Sequence, residues 1–270
     1  MDLQLADKVV IVTGATANIG RATALGFAEE GVRLVAVGRD QAAGEKVVAA
    51  ARERGARDAV FVQADLLDRD APARIVAAAE KLGPIHVLVN NVGGNVAAGM
   101  FVDSDPDTWL GDIDLNLLTV LRMTQAVLPG MIERKAGRII NLGSTAGLVG
   151  DYMLSIYSTA KAAVHGFTKV LAKEVGQHNI TVNCVAPYGT VSNDPDAFSQ
   201  GSRFRPDSQF FKELGKADPA DRARMQRPGG VFDRSIAQPE EVAGAVLYLA
   251  SESAAFVTGQ IIKVEGGTLL

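Results

Sequence analysis

Seven short apolar runs alternate with longer amphipathic stretches from one end of the chain to the other, and this rhythm narrows the possible folds more than any other feature. The runs are residues 9–12, 34–37, 60–62, 87–89, 139–142, 182–185 and 261–264. Most are unbroken rather than alternating with polar residues, as in strands buried on both faces of a parallel sheet. Between them, residues 20–30, 41–54, 71–81, 106–134, 156–176 and 239–250 repeat apolar side chains at three- and four-residue spacing, the period of a helix with one buried face. Ser104 with Pro106 marks one helix start, and Gln238-Pro239-Glu240-Glu241 another. The expectation is an α/β fold, a doubly wound parallel sheet filling one domain over residues 1–270. Residues 192–235 break the rhythm; they are too long for an ordinary connection and are expected to form a helical or irregular substrate lid.

Composition removes several function classes. The net charge of −4 gives no basic surface for nucleic acid or lipid. Cys184 is the single cysteine, so no intramolecular disulfide forms, in keeping with a reducing, cytoplasmic setting. The start lacks a basic segment followed by a long apolar one, and the most apolar runs are too short to span a bilayer. His86, His165 and His178 have no metal-ligand spacing, so no metal is expected.

The first strand runs into Thr13-Gly14-Ala15-Thr16-Ala17-Asn18-Ile19-Gly20 and then a helix. Backbone N–H groups at such a turn face a pyrophosphate, and its glycines permit a positive φ and close approach of a ligand. The same glycines would also serve a plain strand–helix turn. The pattern resembles the Thr-Gly-x-x-x-Gly-x-Gly fingerprint of the short-chain dehydrogenase/reductase family, with Asn18 in place of the middle glycine. Asparagine tolerates the left-handed region, and its amide is in a position to bind a phosphate oxygen. The resemblance implies a Rossmann-like fold and an NAD(P) cofactor contacted by Gly14, Thr16, Asn18, Ile19 and Gly20. It further implies that Asp65, followed by Leu66, holds the adenine amino group. Asn91 and Gly93, in Asn90-Asn91-Val92-Gly93, correspond to the family's Asn-Asn-Ala-Gly. At the end of the second strand the acidic position that would bind a ribose diol is Gly38, and Arg39 follows. A guanidinium there suits the 2′-phosphate of NADP(H), which is favoured, while Asp40 leaves NAD(H) open.

Tyr157 and Lys161 stand four apart and share a helix face. A free tyrosine titrates at about 10, and a neighbouring cation favours its phenolate, so the pair suits general acid/base work at a hydride-transfer site. Ser144 lies thirteen residues before Tyr157, and Asn116 twenty-eight before Ser144. These spacings match the family's Asn-Ser-Tyr-Lys tetrad. The resemblance covers residues 5–267 and implies that Tyr157 exchanges a proton with the substrate oxygen, which Ser144 orients. It also implies that Lys161 holds the nicotinamide ribose, that Asn116 anchors a water relay, and that the pro-S hydrogen is transferred. Pro187-Tyr188-Gly189-Thr190 stands where relatives grip the carboxamide; Pro187, Gly189 and Thr190 keep that role, and Tyr188 is free to reach the substrate.

In the lid, Phe198, Phe204, Phe210, Phe211 and Phe232 lie among Arg203, Arg205, Arg222, Arg224, Arg227 and Arg234. They either receive an aromatic, alicyclic or 3-oxo/hydroxyacyl substrate, or simply dock the lid and pair with Asp207, Asp218, Asp221 and Asp233. The expected partner is a small-molecule alcohol or ketone, with no nucleic acid and no membrane. The family resemblance adds a homotetramer or homodimer built on the helices of Asn116 and Tyr157. Two other readings remain: a sugar-nucleotide epimerase or dehydratase, and a non-catalytic nucleotide-binding sensor.

Overall fold

The computed structural model describes residues 2–198, 212, 215–216, 218–225, 230–234 and 236–270. In chain order the elements are β1 (Val9–Thr13), α1 (Asn18–Glu29), β2 (Arg33–Gly38), α2 (Gln41–Glu53), β3 (Asp58–Gln63), α3 (Ala71–Glu80), β4 (Ile85–Asn90) and α4 (Pro106–Ile113). A π-turn (Asp114–Leu118) leads into α5 (Thr119–Arg134), β5 (Gly137–Leu142), α6 (Ala146–Val149), α7 (Ser155–Val175) and β6 (Ile180–Pro187). The chain then forms α8 (Pro219–Met225), α9 (Pro239–Ala250) and β7 (Ile261–Val264).

All seven strands pair in parallel in the order β3-β2-β1-β4-β5-β6-β7. Val10 pairs with Leu34 on one side and Val87 on the other, which places the reversal of strand order between β1 and β4. A doubly wound sheet takes its ligand at such a point, beyond the carboxyl ends of the strands. The apolar runs of β1 to β6 are continuous because each of these strands feeds two cores. Val10 and Val12 pack with residues of α1, α2 and α9, while Val9 and Ile11 pack with residues of α3, α5 and α7. The strands run past their apolar centres: Arg33, Asp58 and Gln63 join the ladder through backbone alone.

Pro106 to Arg134 form one helical rod, long and apolar enough by length and composition to cross a bilayer, which the short apolar runs did not suggest. Its apolarity has a local use: Met123, Val127 and Met131 lie in the second core under the sheet. The rod starts at Pro106, as expected. Asp105, not Ser104, accepts from Asp107 N at 3.0 Å as the cap. Ser104 instead donates to Phe101 O and accepts from Trp109 Nε1 at 3.0 Å. The expected start of α9 is present, with Gln238 N donating to Glu241 Oε2 at 2.8 Å.

Of the expected lid, Phe204, Phe210, Phe211, Arg203, Arg205, Arg227 and Asp207 lie outside the described residues. Two of the described lid arginines are engaged. Arg234 pairs with Glu241, and Arg224 approaches both Asp221 Oδ1 and Tyr152 Oη at 3.4 Å.

Candidate active site

The turn after β1 is shaped by contacts that tolerate no side chain. Gly14 has φ +63°, and a Cβ at Gly20 would collide with Gly14 O. Asn91, at the end of β4, braces the turn from across the switch point: its Nδ2 donates to Thr13 O at 2.9 Å and to Gly14 O at 3.2 Å. Thr13 Oγ1 accepts from Asn91 N at 2.9 Å and Val92 N at 3.2 Å, a clamp the sequence reading did not single out. The cap residue of α1 is Ala17, which offers no capping side chain, so the first N–H groups of the helix have no side-chain acceptor there and suit an anion. Thr16 is buried, and Ile19 packs on the first core. A bare helix start and a glycine cradle fit the pyrophosphate of a dinucleotide.

Asn18 takes φ +44°, as its tolerance of the left-handed region predicts. Its amide, however, reaches the segment after β6 and is not directed at a phosphate. Nδ2 donates to Thr190 O at 3.0 Å, and Oδ1 accepts from Ser192 N at 3.2 Å.

At the adenosine end, a Cβ on Gly38 would stand 2.7 Å from Thr16 Cγ2, so a larger residue at this strand end would require Thr16 to shift. Asp40 caps α2, accepting from Ala43 N at 3.0 Å. Arg39, mostly exposed, lies 3.8 Å from Asp65. Asp65 also accepts from Leu67 N at 3.0 Å, while Leu66 is core.

Three residues of the tetrad are linked in space, Tyr157 to Lys161 and Lys161 to Asn116 across Gly93, and Ser144 stands just past the end of β5. Ser144 follows the end of β5 and is buried, its Oγ accepting from Ala146 N at 3.1 Å. Tyr157 sits in the first turn of α7, and Lys161 Nζ lies 5.8 Å from its ring centroid. Lys161 Nζ donates to Leu142 O at 2.8 Å. Burial lowers the lysine pKa to about 8, because the amine loses water. A Cβ on Gly93 would stand 2.8 Å from Asn116 Oδ1 and 2.9 Å from Lys161 Nζ, so this glycine lets the two approach.

Asn116 occupies the π-turn, a helix defect that is frequent at functional sites. Its Nδ2 donates to Asp112 O at 3.0 Å and to Gly94 O at 2.9 Å. Asp112 is buried one turn earlier and accepts from Val96 N at 2.8 Å. The sequence reading missed Asp112, yet it left a signal: an acid inside the apolar stripe of a helix. Asn90 belongs to the core, donating to Thr124 Oγ1 at 3.0 Å and Asn141 Oδ1 at 2.9 Å.

Pro187 ends β6, and its carbonyl accepts from Thr145 N at 3.1 Å. Gly189 O accepts from Ala237 N at 2.9 Å, and buried Thr190 donates from Oγ1 to Tyr188 O at 2.8 Å. Tyr188 lines a crevice with Phe232, Ile236 and Val264 on the β7 side.

Comparison with known proteins accords with this geometry. A family model described as short chain dehydrogenase matches residues 8–199. The chain is 36% identical over 269 residues to a 3-oxoacyl-[acyl-carrier-protein] reductase of Synechocystis, covering 98% of each. It is 34% identical over 265 residues to a 3beta-hydroxysteroid dehydrogenase of Mediterraneibacter gnavus, covering 97% of this chain and 94% of that one. A solved structure described as a short chain dehydrogenase/reductase family protein superposes with TM-score 0.80 at 33% identity, covering 99% of this chain and 98% of that chain. The sugar-nucleotide epimerase and non-catalytic sensor readings find no support among these relatives. The chain belongs to the short-chain dehydrogenase/reductase family and is an NAD(P)-dependent oxidoreductase acting between CH–OH and C=O.

Proposed function

We propose that the chain interconverts a secondary alcohol and a ketone carried on an apolar ring or acyl group, with NADP(H) preferred. The observation that carries this reading is the approach of Lys161 Nζ to the Tyr157 ring, 5.8 Å from its centroid, beside the strand end that bears Ser144. When bound, the nicotinamide dinucleotide supplies hydride to the carbonyl carbon or takes it back. Tyr157 gives its hydroxyl proton to the carbonyl oxygen, and Ser144 Oγ hydrogen-bonds that oxygen and orients it. Lys161 favours the phenolate left behind and holds the ribose hydroxyls. The phenolate regains its proton through Lys161 and a water held at Asn116. In oxidation each transfer reverses.

The adenosine end supports NADP(H). Gly38 puts no acid at the end of β2, Asp40 accepts from Ala43 N as the cap of α2, and the exposed Arg39 beside it would pair with a 2′-phosphate. Asp65, beside Arg39, takes the adenine amino group. Gly14, Thr16, Ile19 and Gly20 form the pyrophosphate wall, with Asn91 and Gly93 behind it. Pro187, Gly189 and Thr190 receive the carboxamide.

The substrate side is apolar. Val96 in the loop after β4, and Leu148 and Val149 in the helix after Ser144, expose their side chains. Relatives named for an acyl-carrier-protein thioester and for a steroid match at 36% and 34%, so identity does not choose between a chain and a ring. Leu110 on α4, Val170 on α7, and Phe256 and Leu270 near the carboxyl end are also exposed, which suits a homotetramer or homodimer. A reduced, buried Cys184 suits the cytoplasm.

The test follows the reduced-nicotinamide absorbance with NADPH and NADH against 3-oxoacyl thioester, alicyclic and aromatic ketones. Turnover of an apolar ketone with NADPH is expected. Cofactor binding with no turnover in any class contradicts the enzymatic reading, and a preference for NADH contradicts the cofactor assignment.

A further inference from the structure

The amide of Asn18 spends both of its ends on a segment more than 170 residues away in sequence. Nδ2 donates to Thr190 O at 3.0 Å, Oδ1 accepts from Ser192 N at 3.2 Å, and the residue is 5% exposed. One turn along α1, Arg21 Nη1 meets Asp194 Oδ2 at 3.0 Å and adds an outer tie to the same segment. On its other side the segment is pinned by Ala237, whose N donates to Gly189 O at 2.9 Å and whose O accepts from Val191 N at 3.2 Å. Residues 189–192 are therefore a strap held from two directions. Asn18 is the attachment that reaches it from the pyrophosphate turn.

A glycine at position 18 would satisfy φ +44° equally well and make no such attachment. The side chain thus does something the backbone conformation does not require. We propose that Asn18 is a positioning residue that sets the distance between the pyrophosphate turn and the strap receiving the nicotinamide half of the cofactor. The inference rests on the dinucleotide site described above. A dinucleotide spans from the one to the other, so a fixed spacing presents the carboxamide to Thr190 and keeps the ring at one depth beside Tyr157. Without the tie, the adenylate half binds as before and the nicotinamide half loses its registration.

The distinguishing variant is Asn18→Gly, measured against two ligands that differ only in the nicotinamide: NADPH and 2′-phospho-ADP-ribose. NADH and ADP-ribose form a second pair. Loss of two hydrogen bonds predicts NADPH binding about tenfold weaker. Binding of 2′-phospho-ADP-ribose should stay within roughly twofold of wild type, because glycine keeps the backbone path of the turn that holds it. With a ketone substrate, kcat should fall roughly tenfold while the ketone KM changes little. Equal weakening of both ligands, or no change in either, overturns the proposal. Arg21→Gln, which removes only the outer tie, should give the same nicotinamide-selective loss at smaller size. That variant keeps the idea falsifiable should Asn18→Gly fail to fold, and equal weakening of both ligands in it again contradicts the idea. Wild-type protein that binds neither ligand removes the dinucleotide reading and the inference with it. A selective effect absent from a wild type that binds both removes the inference alone.

Discussion

Asn116 clasps Gly94 by both backbone groups: Nδ2 donates to Gly94 O and Oδ1 accepts from Gly94 N, each at 2.9 Å. The clasp ties the π-turn to the loop that leaves β4. It also lays Gly93 between Asn116 and Lys161. The loop is held again at Val96 by Asp112 and at Gly99, whose N donates to Met153 O at 2.9 Å.

Asn116→Ala removes this clasp and strands two backbone groups of Gly94. Denaturant unfolding should show a loss of about 1–3 kcal/mol, at about 0.5–1.5 kcal/mol for each of the two hydrogen bonds to part-buried Gly94. Turnover should fall by at least roughly tenfold, since the loop beside Lys161 is released. Unchanged stability would mean that water replaces the amide at no cost.

Lys161 gives stability a pH dependence whose sign is fixed by burial. Its pKa is about 8 in the folded chain against 10.5 as a free side chain. Between those values the unfolded state binds more protons, so stability rises with pH across that window and the cost of the buried charge is present below it. The span corresponds to on the order of 3 kcal/mol. Chemical unfolding from pH 7 to pH 10 should show this rise in the wild type and lose it in Lys161→Met. Parallel pH curves for the two proteins would refute it.

Arg39→Ala tests the cofactor assignment. The ratio of kcat/KM for NADPH over NADH should drop at least about tenfold, as a charge-assisted phosphate contact is lost. Loss of the Asp65 pair should matter little, because both side chains are well exposed and 3.8 Å apart. An unchanged ratio removes the argument from Arg39.

Much of this architecture could be read from the chain. Runs such as Val87–Val89 were legible because strands buried on both faces must be apolar throughout. Strand ends such as Asp58 and Gln63 were not, because they pair through backbone and need no apolar side chain. Tyr157 and Lys161 were legible because helix geometry joins residues four apart. The partner of Asn18 was hidden: a sequence shows that asparagine tolerates φ +44°, but not that Thr190 lies beside it. Asp112 was overlooked for a similar reason, since an acid in an apolar stripe acquires meaning only once Val96 is seen to donate to it. Tyr188, read as free to reach the substrate, lines a crevice on the β7 side with Phe232 and Val264.

Tyr157→Phe bears most directly on the proton-transfer role at the centre of the account. The measurement is turnover of an accepted ketone with NADPH, alongside NADPH binding to the same protein. The account predicts a loss of roughly 10²–10⁴-fold in kcat, the usual worth of a positioned acid/base, with cofactor affinity nearly unchanged. A phenylalanine variant that keeps half of the wild-type rate would contradict it.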